Sequence, residues 1–230
     1  MTDPKVSIPE ALNALSAGLV LLSAFAMVAT RQVRGVVRFF VIQSLLLAAS
    51  CFLLGYSRNS NHLWTLGAIT VAAKAVAIPW ILRRLLPGEF YERREIAQAI
   101  NIPASLLLSL LLAILSEFLV GPLAAASIDS VIRINLPIGL AGVLIGAYSL
   151  IARREAIPQL IGILAMENGA FFAGIAIANE LPLIAELGVA VGVMLIAVVT
   201  GLLSRNIGQT IGTTETGTLS ELKEEATPWR

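Results

Sequence analysis

Cysteine and histidine are almost missing from this chain: each occurs once, as Cys51 and His62. A single cysteine excludes an internal disulfide and a cysteine-ligated iron–sulfur cluster held by this chain alone. A single histidine excludes a bis-histidine haem or a multi-histidine metal site. Charge is also scarce, at 13% of residues, where an ordinary soluble domain has about 25%. The formal net charge of +1 gives no basic excess of the kind nucleic acid selects. There is no P-loop, no glycine-rich dinucleotide fingerprint and no metal-ligand cluster, so neither a nucleotide site nor a hydrolase centre is expected.

What is abundant is apolar. Hydrophobic residues make up 57% and mean hydropathy is +0.85, which predicts an all-α polytopic membrane protein. Seven spans can be drawn, roughly 11–30, 37–56, 64–85, 102–122, 131–151, 157–178 and 182–203. Each has about the 20 residues that cross a bilayer core of ~30 Å. Helices are the expected spanning form because the backbone must satisfy itself in lipid, and no alternating strand pattern competes. The opening "MTDPKVSIPEALNALSAGLVLLSAFAMVATRQVRG" has a weak charged region and an apolar run longer than the 7–15 residues of a signal peptide, so it reads as a retained first helix. Cys51, inside an apolar run, reads as a small buried hydrophobe.

Lys and Arg set the expected orientation. With the N-terminus outside, the arginines at 31, 34, 38, 83, 84, 93, 94, 153, 154 and 205, with Lys223 and Arg230, are cytoplasmic. Only Lys5, Arg58 and Arg133 stay outside, and Lys74 falls inside a span. The organisation is then an N-terminal segment (1–10), a three-helix part with a cytoplasmic loop (11–99), a four-helix part (100–205) and a polar cytoplasmic tail (206–230). The loop "LPGEFYERREIAQA" and the tail are too short to fold alone; each is a docking segment or a plain solvated one. Pro103, Pro158 and Pro182 sit at helix starts, whereas Pro79 and Pro137 lie inside spans. There they kink the helix and free a carbonyl, for a polar partner or for packing alone.

The rare ionisable residues at membrane depth are the candidate site. Burying one costs roughly 2.5–3.5 kcal/mol on insertion scales. Glu167 in "IGILAMENGAFFAG" and Lys74 each lie about ten residues into a span, ~15 Å deep. Asn168 follows Glu167, and Gln43 is somewhat shallower in span two. Glu186 is about one turn into span seven, and Glu117 is in the outer third of span four. Titratable groups at water-bridgeable distances could relay protons. The alternative is a satisfied polar core that holds helices together. "GVLIG" and "GVAVG" place Gly142 with Gly146, and Gly188 with Gly192, one turn apart as close-packing faces, with Gly139 on a neighbouring face. Two stretches, "GLVLLSAFAMVATRQVRGVVRFFVIQS" and "GVLIGAYSLIARREAIPQLIGILAMEN", share a plan of helix, arginine turn, helix and polar pair. Aligned, Gln43–Ser44 matches Glu167–Asn168, as a parallel repeat would.

These residues carry a resemblance. "GAYSLIARREAIPQLIGILAMENGAFFAGIA" resembles the first two helices of the K subunit of bacterial complex I, and "AELGVAVGVMLIAVVTGLLSR" resembles its third. The extra N-terminal half with "KAVAIPWILRRLL" is similar to the hydrogenase-4 component E family, a K-type subunit with additional helices. The resemblance covers most of the chain except the tail. It implies a non-catalytic subunit of an energy-converting hydrogenase or complex-I-like assembly in a bacterial or archaeal plasma membrane. Such a subunit lies beside antiporter-like membrane subunits, with nickel–iron and iron–sulfur centres on peripheral redox partners. It also implies that Glu167, Glu186 and Lys74, with Asn168 beside the first, line a lateral proton path. A subunit of a multisubunit cation/proton antiporter and a purely structural membrane-arm scaffold are the alternatives. The sequence departs from the pattern twice. The first glutamate falls about three residues later than in the complex I subunit, near one turn along the same face. The acid expected after "ELGV" is replaced by Ala190, Val191 and Gly192.

Overall fold

The computed structural model describes residues 7–85 and 100–177. All regular structure there is helical apart from isolated bridge residues at Gln32, Arg153 and Glu155. The helices are α1 (Ile8–Ala29), α2 (Val33–Arg58), α3 (Asn61–Thr70), α4 (Ile78–Leu85), α5 (Ile102–Ala126), α6 (Ser130–Ala152) and α7 (Ala156–Ile177). A π-helical segment, Val71–Ala77, joins α3 to α4 in one continuous span. The described residues thus hold six helical spans long and apolar enough to cross a membrane. They match the first six predicted spans to within about one turn at each end. The seventh, 182–203, with the tail and the 86–99 loop, lies outside the described residues.

Local chemistry sets the ends. Asn101 caps α5 by accepting from the Ala104 amide at 3.1 Å, and Asp129 caps α6 by accepting from Val131 at 2.8 Å. Between α2 and α3 the turn closes on Asn59 at φ 52, where asparagine tolerates the left-handed region. The Ser60 amide then returns to the Gly55 carbonyl at 2.9 Å. One boundary differs from expectation: α5 runs through Pro122 to Ala126. Pro122 removes one backbone donor near the helix end, and the apolar run continues past it.

Two hairpins, α1–α2 and α6–α7, pack side by side, α1 on α6 and α2 on α7. The corresponding helices of the two repeat-like stretches thus lie against each other, a pairing that the sequence pattern alone does not specify. Buried clusters cross between them. One joins Met27, Val36 and Phe40 to Ile145, Leu160 and Leu164; the other joins Val20, Leu47 and Cys51 to Phe172 and Ile175. Within α6–α7 the backbones touch. A Cβ on Gly139 would lie 2.6 Å from the Ala173 nitrogen, one on Gly146 2.6 Å from the Met166 nitrogen, and one on Gly169 2.5 Å from the Val143 nitrogen. Gly139 therefore shares the contact face of Gly142 and Gly146 instead of a neighbouring one: steps of three and four keep all three on one stripe. Gly188 and Gly192 lie outside the described residues.

Candidate intramembrane charge site

Lys74 projects from the π-helical segment into the junction of α2 and α7 and is 4% exposed. Its Nζ donates to Glu167 Oε1 at 2.7 Å and to Asn168 Oδ1 at 2.9 Å. The Phe171 ring centroid is 5.3 Å away, within cation–π range. Asn168 passes the network on. Its Nδ2 donates to Gln43 Oε1 at 3.2 Å and to Ser44 Oγ at 3.0 Å. The amide can take only this orientation, since reversing it would set a donor against the ammonium. Gln43 and Ser44 are fully buried, and Asn168 is 1% exposed.

Four of the six sequence candidates, Lys74, Glu167, Asn168 and Gln43, therefore meet in one cluster. Gln43 is at the same depth as Asn168, not shallower, because α2 begins four residues earlier than the predicted span. Glu167 lies at the rim, its side chain 20% exposed. Its Oε2 is buried and has no hydrogen-bond partner among the described residues, and the same holds for Gln43 Nε2. Glu117 is elsewhere. It is exposed on α5, the least buried of the six spans, with its carboxylate against Gly121 one turn on. Glu186 lies outside the described residues.

Three further polar features went unread in the sequence. Asn13 donates to Asn135 Oδ1 at 2.9 Å and accepts from Ser50, tying α1, α2 and α6 near the N-terminal end of α1. Both asparagines are uncharged and lie 122 residues apart in sequence, so only their pairing in the fold marks them. Tyr148 donates to Ser105 at 2.6 Å and holds α5 on α6. Arg153 counted in the sequence only as a positive-inside residue. It is 4% exposed and donates to the Met27, Val28 and Thr30 carbonyls at 2.7, 3.3 and 3.0 Å, capping the C-terminus of α1. Desolvation by burial lowers its pKa to about 10, with Tyr148 and Glu155 acting in the opposite direction; it is charged at neutral pH.

Apolar helices around a buried lysine–carboxylate pair define a polytopic α-helical membrane protein with an intramembrane charge site. The chain is a distant homologue of hydrogenase-4 component E. It is 26% identical to the Escherichia coli protein of that name over 215 residues, 90% of this chain and 95% of the relative. The Shigella flexneri protein of the same name is equally similar. An uncharacterized protein of Mycobacterium tuberculosis is 29% identical over 210 residues, 91% of this chain and 94% of that one. No protein-family model matches the chain, and no solved structure does.

Proposed function

We propose that this chain is a non-catalytic membrane subunit of a hydrogenase-like multisubunit complex, and that Lys74, Glu167, Asn168 and Gln43 form a segment of its intramembrane proton path. The observation that carries the reading is the Lys74–Glu167 pair at mid-span. Moving one proton from the ammonium to Glu167 Oε1, 2.7 Å away, neutralises both groups and leaves the net charge of the bundle unchanged. Charge separation in low dielectric is therefore avoided at that step. A half-turn of the neutral carboxyl about its Cγ–Cδ bond would then carry that proton to the position now held by Oε2, from which it can pass on. The amides of Asn168 and Gln43 do not titrate; they orient the pair, and the Ser44 hydroxyl can both donate and accept.

In this reading the N-terminus is outside, the C-terminus is cytoplasmic, and the four-helix part (100–205) is K-subunit-like, its last three spans corresponding to the helices of the complex I K subunit. Glu186 and the outward-facing Glu117 continue the path toward antiporter-like neighbours. Peripheral partners hold the nickel–iron and iron–sulfur centres. The test is Glu167→Gln and Lys74→Ala in the purified complex, with assembly and electron-transfer-linked proton uptake both measured. The expected outcome is retained assembly with proton uptake reduced about a hundredfold or more, the order that loss of a positioned proton-transfer group gives. Normal uptake in both variants overturns the path. Loss of assembly in both marks the pair as structural and overturns it equally.

A further inference from the structure

At the arginine-rich end of the bundle a groove of about 480 Å³ opens between α2 and α4. Arg34 and Arg38 from α2 and Arg83 from α4 line it together with the apolar Val37, Val41, Ile42 and Pro79. On α2 the order Arg34, Arg38, Ile42 advances one turn at a time. One face therefore passes from guanidinium to hydrocarbon over ~12 Å, going from membrane surface toward membrane interior. Pro79 and Arg83 repeat that gradient on the facing wall. The groove lies beyond the stretch where α3 and the π-helical segment pack on α2.

The electrostatics are unbalanced. Arg34 and Arg38 occupy the first two turns of α2, the positive end of the helix dipole, where cations are unfavourable. No acidic residue stands in that first turn, and none lines the groove. Three positive side chains and a helix N-terminus thus converge with no counter-charge among the groove-lining residues. Beside them Trp80 is 57% exposed and Arg84 stacks on its ring at 5.3 Å, an arrangement suited to the lipid–water boundary.

We propose that this groove is a binding site for an anionic glycerophospholipid. The phosphate is held by Arg34, Arg38 and Arg83, and an acyl chain lies along Val37, Val41 and Ile42. Arginine supplies planar paired donors for phosphate oxygens, and the apolar wall distinguishes a lipid from free phosphate.

Trp80 provides the probe, in the full chain with Trp64→Phe and Trp229→Phe, reconstituted in phosphatidylcholine vesicles. A minor fraction of the lipid is brominated phosphatidylglycerol or, in the parallel arm, brominated phosphatidylcholine. The expected result is quenching about twofold or more stronger by the anionic lipid, the preference weakening as salt is raised. Arg34→Gln/Arg38→Gln/Arg83→Gln should abolish the preference, while Arg133→Gln, at the opposite end of the bundle, should retain it. Equal quenching by the two lipids in the unsubstituted groove overturns the proposal. That is also the outcome if carboxylates of the chain's own 86–99 loop or of a partner protein fill the site. A preference that survives the triple substitution overturns it too. Inorganic phosphate that competes as well as the lipid would show that the acyl wall contributes nothing, against the proposal.

Discussion

Burying the Lys74 ammonium costs several kcal/mol, and the structure offsets this with a carboxylate, an amide oxygen and an aromatic face. The pair should therefore be strongly non-additive. Glu167→Gln leaves an ammonium buried without its counter-charge and should cost about 3 kcal/mol of unfolding free energy. Lys74→Met leaves a rim carboxylate that can turn outward and should cost less. The double variant should recover at least half of the Glu167→Gln loss, in a double-mutant cycle measured by denaturant unfolding in mixed micelles. A double that simply sums the singles would show that the two groups do not interact. Arg153 gives the second residue-scale test. Arg153→Met leaves the last α1 carbonyls without their donors and should cost about 1–3 kcal/mol in the same assay. Arg153→Lys should restore little, because one ammonium cannot span three carbonyls as a guanidinium does. The charged members of the mid-span cluster were legible because each is costly alone. The Asn13–Ser50–Asn135 knot and the cap formed by Arg153 were not, because their meaning lies in partners far away in sequence.

The third span shows an element-scale device that also escaped the sequence reading, although its signal is there. Thr70, Lys74, Ile78 and Leu82 are all buried and recur every four residues. A helix of 3.6 residues per turn would carry that series progressively off one face. The wider turn at Val71–Ala77 corrects the drift, and the Ile78 amide bonds back to Ala73, five residues earlier. Pro79 favours this geometry: it lacks an N–H, and its ring would collide with the Ala75 carbonyl in a regular helix. Proline was read as a kink; here it accompanies a change of pitch that sets the direction of Lys74. Pro79→Ala should let the segment relax toward α-helix. Either Lys74 or the Ile78–Leu82 face then rotates out of the core, by up to about 100° for one residue of register. Proton uptake by the assembled complex should fall about as far as in Lys74→Ala. The double variant should be no worse than either single. Unchanged uptake in Pro79→Ala would show that the proline does not set the lysine.

At the scale of the whole molecule, the polar contacts show how its two halves are held. Six predicted spans and their rough boundaries were legible because hydropathy is a local property; which helix faces which was not. Lys74 bonds to Glu167 and Asn168, Asn168 to Gln43 and Ser44, Asn13 to Asn135, and Arg153 to the end of α1. Arg58 adds an ion pair to Asp129 at 2.7 Å near the α2–α3 turn. All of these join residues before 85 to residues after 100, and both apolar clusters cross the same divide. Lipid surrounding the separate halves would solvate their apolar faces nearly as well as they solvate each other, so packing and hydrogen bonds must supply the preference for association. A chain cut within 86–99 and expressed as two pieces should therefore reassemble in the membrane, the N-terminal piece copurifying with a tagged C-terminal piece. Asn168→Leu removes the residue that bridges Lys74 to Gln43 and Ser44, and leaves a buried ammonium with one acceptor fewer. In the split form its cost, about 1–3 kcal/mol, is read directly as association and should lower recovery of the partner roughly fivefold or more. In the intact chain the same substitution is buffered by the covalent link, and the protein should still insert and purify. Recovery of the partner unaffected by Asn168→Leu would mean that the polar network only orients side chains, and that the apolar faces alone hold the halves together.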